Sequence, residues 1–313
     1  MIRYGIDLGG TKIEIAALDA QGQIRLRRRV ATPRDDYDAI LRAIAALLHD
    51  ARGELQVSYP VEFDDTEPFS VGVGAPGAVS SSSGRLKNSN TACLNGKPLK
   101  QDLEGLLGYQ IRLANDANCF ALSEAVDGAA AGASVVFGVI LGTGVGSGIV
   151  VDGKIIEGTN SIAGEWGHNP LSVPETDSPA RICYCGRSGC VETWLSGPGF
   201  AADHAMRHGG ALSAKEIIAA ALQGETAAMQ SLGRYTERLA RALSNVINIL
   251  DPEVIVLGGG LSNIDWLYRD LPELLLRHVF SDRVDTRVVR NHHGDSSGVR
   301  GAAWLWGGNL GSN

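Results

Sequence analysis

Positive charge is in short supply in this 313-residue chain: 28 Lys and Arg stand against 35 Asp and Glu, a formal net charge of −7. A binder of the phosphate backbone normally carries a basic face, so this balance argues against nucleic acid as a partner. Long apolar runs are missing too. No stretch approaches the roughly 20 residues a membrane-spanning helix needs, and the N-terminal MIRYGIDLGG has no basic segment followed by an apolar one. The expected location is the cytoplasm, with no membrane partner. Cysteine is sparse and odd in number, five in all, which suits a reducing compartment better than a disulfide framework. What remains, 44% hydrophobic and 20% charged residues, describes a globular chain long enough for two domains.

Three of the five cysteines stand together. The stretch from Gly164 to Glu192 holds Glu165, His168, Cys183, Cys185, Cys190 and Glu192. Cys-x-Cys-x4-Cys with a histidine fifteen residues upstream offers three thiolates and one imidazole, the complement of a closed tetrahedral zinc site. Core cysteines are the plainer alternative. Gly186 and Gly189 flank a tight loop, which suits a metal knuckle better than a packed element. Cys93 and Cys119 then read as buried thiols.

Ile2 to Leu8 reads as a strand running into Asp7-Leu8-Gly9-Gly10-Thr11-Lys12, and Ile13 to Leu18 resumes a strand pattern. Glycines in such a turn let backbone N–H groups approach a phosphate, with the Thr11 hydroxyl and the Lys12 cation beside them. An ordinary hairpin turn using Gly9 and Gly10 for positive φ explains the turn alone equally well. It is not a Walker A loop, which leads into a helix. Asp7, at a strand end, is placed to hold magnesium through water. Gln23 to Ala31 predicts a third strand and Tyr37 to Ala51 an amphipathic helix, while residues 53–69 lack a period and read as an acidic surface insertion. After a buried strand at Ser70 to Ala75, a long polar connection makes Asn88 and Asn90 candidates for a polar ligand, with solvated loop polarity the plainer reading of either.

Asn115 and Asp116 follow a short strand and open the helix Ala117 to Val126. Either can be its N-cap. Asp116 is also a carboxylate at the carboxyl end of a strand, where open α/β sheets bind ligands, and a helix N-terminus keeps it ionised and able to accept a proton. Ser134 to Leu141 then leads through Gly142-Thr143-Gly144 into another strand, Ile149 to Val151. A dinucleotide fingerprint would continue into a helix, so that reading is excluded. Two strand-Gly-Thr-strand turns point to two similar halves facing one nucleotide. Further on, Gly197 to Gly199 predicts a break, Thr226 to Leu250 a long helix, and Glu253 to Leu257 a buried strand ending in three glycines.

DLGGTK, NDAN, LGTGVGSG, GEWGH, CYCGRSGCVE and VIVLGGGLSN occur in this order over nearly the whole chain, and through them the sequence resembles the ROK family of sugar kinases and sugar-responsive repressors. The resemblance implies an α/β, two-lobed actin-like (hexokinase-type, ribonuclease H-like) ATPase fold whose interlobe cleft closes on ATP and a hexose. It divides the chain into a small lobe, residues 1–114 plus 295–313, and a large lobe, residues 115–294. By motif position Asp116 is the catalytic base. Asp7, Gly9, Gly10, Thr11, Lys12, Thr143 and Gly144 hold the ATP phosphates and magnesium, and Gly258 and Gly259 lie against the adenosine. Zinc falls to His168, Cys183, Cys185 and Cys190. The sugar hydroxyls fall to Asn90, Asn115, Asp116, Glu165, His168 and Glu192.

Spacing agrees with that assignment. If Glu165 to His168 is one helical turn, the two side chains share a face. His168 can give one ring nitrogen to zinc and the other to the sugar, and Glu192, two residues beyond Cys190, is pinned by the same metal. Four protein ligands make the zinc structural. The expected reaction moves the γ-phosphoryl group of MgATP to the 6-hydroxyl of a hexose, in a homodimeric enzyme. KNSNTACLNGKPL and GEWGHNPL resemble the fructokinase and mannofructokinase branch, so fructose is the expected substrate, with mannose or glucose beside it; an N-acetylglucosamine kinase is the alternative, and a noncatalytic sugar-binding protein the alternative of another class. A repressor of the family would carry a DNA-binding motif before the first strand, whereas DLGGTK begins at residue 7.

Overall fold

Ile2, Tyr4, Ile6 and Leu8 are buried, as are Ile13, Ile15 and Ala17, and in the computed structural model these two runs pair as antiparallel strands around the first glycine turn. The structure describes residues 1–59, 68–172 and 181–307. In chain order the elements are β1 (Ile2–Leu8), β2 (Lys12–Leu18), β3 (Ile24–Ala31), α1 (Tyr37–Ser58), β4 (Phe69–Ala75), β5 (Ala78–Val79), β6 (Leu86–Lys87), α2 (Leu99–Leu107), β7 (Arg112–Asn115), α3 (Asp116–Val126), β8 (Val135–Leu141), β9 (Val145–Val151) and β10 (Lys154–Ile155). They continue with α4 (Glu192–Leu195), α5 (Gly197–His208), α6 (Ala214–Leu222), α7 (Thr226–Leu250), β11 (Val254–Gly258), α8 (Asp265–Leu276), β12 (Arg287–Arg290) and α9 (Ser297–Trp304). Among the described residues no helix is long and apolar enough to cross a membrane.

The two large sheets share one connectivity. Their orders are β3-β2-β1-β4-β7 and β10-β9-β8-β11-β12. In each, a hairpin bearing a glycine turn supplies the first two strands, and two later strands join parallel to the first. The duplication suggested by the two turns is therefore a property of the topology. Parallel strands end at one sheet edge, where such sheets bind ligands. In the first sheet Asp7 pairs with Gly74, and Ala75 with Asn115, so the motifs DLGG and NDAN finish at the same edge on either side of β4.

Met1–Gly132, Gly148–Ala163 and Asp295–Asn313 form one compact unit, and Ala133–Ser147 with Gly164–Gly294 form another. Helix α3, which follows residue 114, falls within the first of these units. Helix α3 stays in the first unit because it packs without clearance: a Cβ on Gly301 of α9 would stand 1.7 Å from the Cys119 carbonyl, and one on Gly148 would stand 2.7 Å from the Ala117 carbonyl. Two local expectations change. Helix α1 runs to Ser58 with Leu55 buried, so the first residues of the expected insertion are helical, and its residues 60–67 lie outside those described. The expected break at Gly197 to Gly199 is the first turn of α5, capped by Ser196, whose side chain accepts from the Gly199 N–H, with Pro198 in that turn.

Candidate active site

In the first unit, Asp7 lies next to the end of β1, opposite Glu14 on β2. Its carboxyl is pushed up to about 6, by burial first and then by the negative charges of Asp116 and Glu14, against the pull of Lys12 and Arg29. Asp116 opens α3. The Asn115 side chain caps that helix, accepting from the N–H groups of Ala117 at 2.9 Å and Asn118 at 3.3 Å. Asn115 Nδ2 donates to the Gly77 carbonyl at 3.0 Å, and Asp116 Oδ1 accepts from the Ala117 N–H at 2.8 Å. Asn115 is thus the cap, and Asp116 the carboxylate presented at the helix start.

The first glycine turn is closed by Gly9 N–H donating to the Lys12 carbonyl at 2.9 Å and is braced by Thr32, whose hydroxyl donates to the Gly9 carbonyl at 2.7 Å. Neither Gly9 nor Gly10 takes a positive φ, which removes the ordinary hairpin reason for having them. Lys12 lies 3.7 Å from Glu14, a buried carboxylate that also pairs with Arg27 and Arg29, so its cation is drawn toward that cluster. Asn90 is exposed on a loop held by Asn95, which bonds both the N–H and the carbonyl of Ser89 at 2.8 Å. A Cβ on Gly77 would stand 2.8 Å from Ser89 N, and one on Gly10 would stand 3.4 Å from Thr91 Oγ1. The loop, the turn and NDAN therefore gather at the same sheet edge.

In the second unit, the turn Gly142-Thr143-Gly144 closes through Gly142 N–H to the Gly144 carbonyl at 3.0 Å. Glu192 Oε2 accepts from the Val145 N–H at 2.9 Å. Thr143 is exposed and lines a cavity of about 740 Å³ with Gly197, Pro198, Ser213, Lys215 and Asn263, within the size range of small-molecule sites. Gly258 and Gly259 are not among its lining residues; Gly260 is. Gly259 has φ 80°, and a Cβ there would stand 2.5 Å from the Leu141 carbonyl, so this glycine serves close packing against β8. The cavity wall from α5 and α6 escaped the sequence reading, although Ser213 and Glu216 form a capping box that marks the start of α6.

The cysteine cluster is assembled. One ligand atom from each of His168, Cys183, Cys185 and Cys190 lies within 4.8 Å of the others, a spread that can hold one four-coordinate metal ion. Bridges Ile182 to Ser188 and Pro170 to Cys190, with Gly186 at φ 85°, fold the knuckle. Burial pushes the Cys190 thiol up to about 12 and raises Cys183, while the Arg187 backbone N–H holds Cys185 low. Glu165 precedes a 3-10 turn at Trp166–His168 in place of the expected full helical turn. His168 turns Nδ1 to Cys183 Sγ at 3.6 Å, and Nε2 meets the Tyr184 hydroxyl at 3.1 Å. The nitrogen expected to be open for a sugar thus has a protein partner. Tyr184, missed in the sequence because it sits at an unconstrained position between two cysteines, is 79% exposed. Its hydroxyl is nevertheless pushed up to about 12, by partial burial and then by Glu192, Cys183 and Glu165.

The family whose model matches residues 3–309 is described as the ROK family. The chain is a sugar kinase of that family. Similar relatives include the N-acetyl-D-glucosamine kinases of Escherichia coli O127:H6, 42% identical, and of Vibrio cholerae, 41% identical, each match covering 96% of this chain and 98% of the relative. Similar solved structures include a ROK hexokinase from Thermus thermophilus, with a TM-score of 0.83 at 27% identity and coverage of 97% of both chains. A ROK glucokinase from Streptomyces griseus, solved with glucose and AMPPNP, matches with a TM-score of 0.76 at 28% identity, covering 97% of this chain and 99% of that one. The chain accordingly has the hexokinase-type α/β fold of ROK enzymes and is an ATP-dependent phosphotransferase acting on a sugar.

Proposed function

We propose that this kinase phosphorylates the 6-hydroxyl of N-acetyl-D-glucosamine. The observation that carries this reading is the set of N-acetyl-D-glucosamine kinases 41–42% identical over 96% of the chain. The fructose expectation, drawn from two short motifs, finds no support among them and gives way to the alternative. A steady-state panel of N-acetylglucosamine, N-acetylmannosamine, glucose, mannose and fructose tests the choice: kcat/KM should be highest for N-acetylglucosamine, and a preference for fructose would overturn it. Binding of sugars without ATP turnover would instead favour a sensing protein.

In the proposed reaction Asp116 accepts the proton of the attacking hydroxyl, since the start of α3 favours its ionised form. Asn90, Asn115, Glu165, His168 and Glu192 orient the other sugar groups; for His168 this requires Tyr184 to share or yield Nε2. Backbone amides of the two glycine turns, with the Thr11 and Thr143 hydroxyls, bind the phosphates. The adenosine occupies the cavity beside Thr143 and Gly260. Magnesium, which would neutralise phosphate charge, would be held by Asp7; the raised pKa of that carboxyl fits a group awaiting a cation. Zinc suits the donor set of three thiols and one imidazole and would serve structure, since no open position remains. We place the enzyme in the cytoplasm as a homodimer, the latter to be tested by sedimentation.

A further inference from the structure

Glu192 stands at the second glycine turn, and its contacts there are not those of a sugar ligand alone. Its Oε2 accepts the Val145 N–H at 2.9 Å. A Cβ added to Gly144 would stand 2.7 Å from the same oxygen, so the carboxylate lies directly against the turn. At the other end of the turn, Gly197 N–H donates to the Gly142 carbonyl at 2.8 Å. These two anchors bracket α4, a helix of 4 residues, which therefore grips the turn on both sides.

Helix α4 cannot shift freely. Its Trp194 and Leu195 are buried, the Thr193 hydroxyl donates to the Cys190 carbonyl at 2.7 Å, and Val191 N–H donates to the Asn169 carbonyl at 2.8 Å. The grip is thus continuous with the cysteine knuckle. A carboxylate beside a turn that binds phosphate is electrostatically unfavourable, because like charges repel more strongly where water is partly excluded. Its presence there is accounted for if it orders the turn: tying down the Val145 N–H fixes the orientation of the preceding peptide groups before the ligand arrives, which lowers the ordering cost on binding.

We propose that Glu192 is a positioning residue for the nucleotide, holding the Thr143 wall of the cavity through the Val145 amide. This rests on the reading of that cavity as the nucleotide site and adds to any contact Glu192 makes with sugar. The test is AMPPNP binding with magnesium, measured by calorimetry without sugar. Loss of one hydrogen bond to a charged acceptor should weaken AMPPNP about tenfold in Glu192→Ala. Glu192→Gln keeps an acceptor oxygen and should restore binding to within about twofold of wild type, while Glu165→Ala, which removes a different proposed sugar contact, should leave it unchanged. In steady state Glu192→Gln should raise the KM for sugar more than the KM for ATP. If Glu192→Ala does not fold, Glu192→Asp serves in its place: its oxygen is drawn back by one methylene, so it should weaken AMPPNP. Wild-type affinity in Glu192→Ala, or in Glu192→Asp where that variant stands in, would overturn the proposal, as would a Glu192→Gln protein that binds as weakly as the alanine variant. Failure of wild-type protein to bind AMPPNP would instead overturn the cavity reading on which the proposal stands.

Discussion

Asp7→Asn should make the ligand-free kinase more stable at neutral pH while abolishing binding of the magnesium nucleotide. The Asp7 carboxyl is raised from 3.8 to about 6 by burial and by the charges of Asp116 and Glu14. A group whose pKa is higher in the folded state holds its proton more tightly there. Its stabilising contribution is therefore complete below pH 3.8 and is lost as the pH rises through about 6. At 1.36 kcal/mol per pKa unit, the ionised side chain costs up to about 3 kcal/mol above that range. Asparagine keeps the shape and carries no charge. Urea unfolding of both proteins should show curves that nearly coincide near pH 4, diverge between pH 4 and 6, and stay separated by up to about 3 kcal/mol at pH 7.5. With magnesium and AMPPNP present the order should reverse, because only the wild type gains binding energy. A variant no more stable than wild type at pH 7.5, or a difference that ignores pH, would refute the account of Asp7 as a carboxylate kept at a cost for its function.

The other predictions concern groups in both units. Asp116→Asn should fold normally, shown by an unchanged circular dichroism spectrum, and lose about 100-fold or more in kcat; near wild-type turnover would take Asp116 out of the base role. Asp203 is buried against Arg238 at 2.8 Å and also pairs with Arg181, Arg207 and Arg234. Burial raises its pKa, but the arginines, Arg238 foremost, more than offset this and hold it low. Asp203→Asn removes the one carboxylate that all four arginines approach and should cost about 3 kcal/mol in urea unfolding; a loss under 1 kcal/mol would mean that other groups satisfy the arginines unaided. Removing metal with a chelator should expose Cys183, Cys185 and Cys190 to a thiol reagent and lower the thermal midpoint, with both effects reversed by zinc. Thiol reactivity indifferent to metal would show that the cluster holds none.

Features set by local chemistry were legible in the sequence. The strand and turn of DLGGTK, the cap at Asn115 and the gathering of three cysteines with His168 each follow from residues close in sequence or from a spacing with few alternatives. What escaped depends on neighbours far along the chain. Gly197 and Gly199 look like breakers, yet a Cβ on Gly199 would stand 2.6 Å from the Thr193 carbonyl, so that glycine serves tight packing inside a helix. Gly259, expected against the adenosine, also packs tightly against Leu141, which no local pattern announces. The assignment of α3 to the first unit depends on α9, almost two hundred positions later, and no local pattern in NDAN encodes that. His168 shows the same limit at the site: its two ring nitrogens were foreseen, but the Tyr184 hydroxyl that takes one of them was not.

Helix α9 seats its backbone against the first sheet with no room for side chains. A Cβ on Gly5 would stand 2.0 Å from the Val299 carbonyl, and one on Gly72 would stand 1.9 Å from the Ala302 carbonyl. During synthesis this sheet is made early and α9, which covers it, much later. At 5–20 residues per second the wait is on the order of 10 s or more. All segments of the second unit are synthesised within that interval, before residue 295. While the second unit is being made, the first sheet still exposes apolar β1 and β4, the surface a chaperone would have to guard.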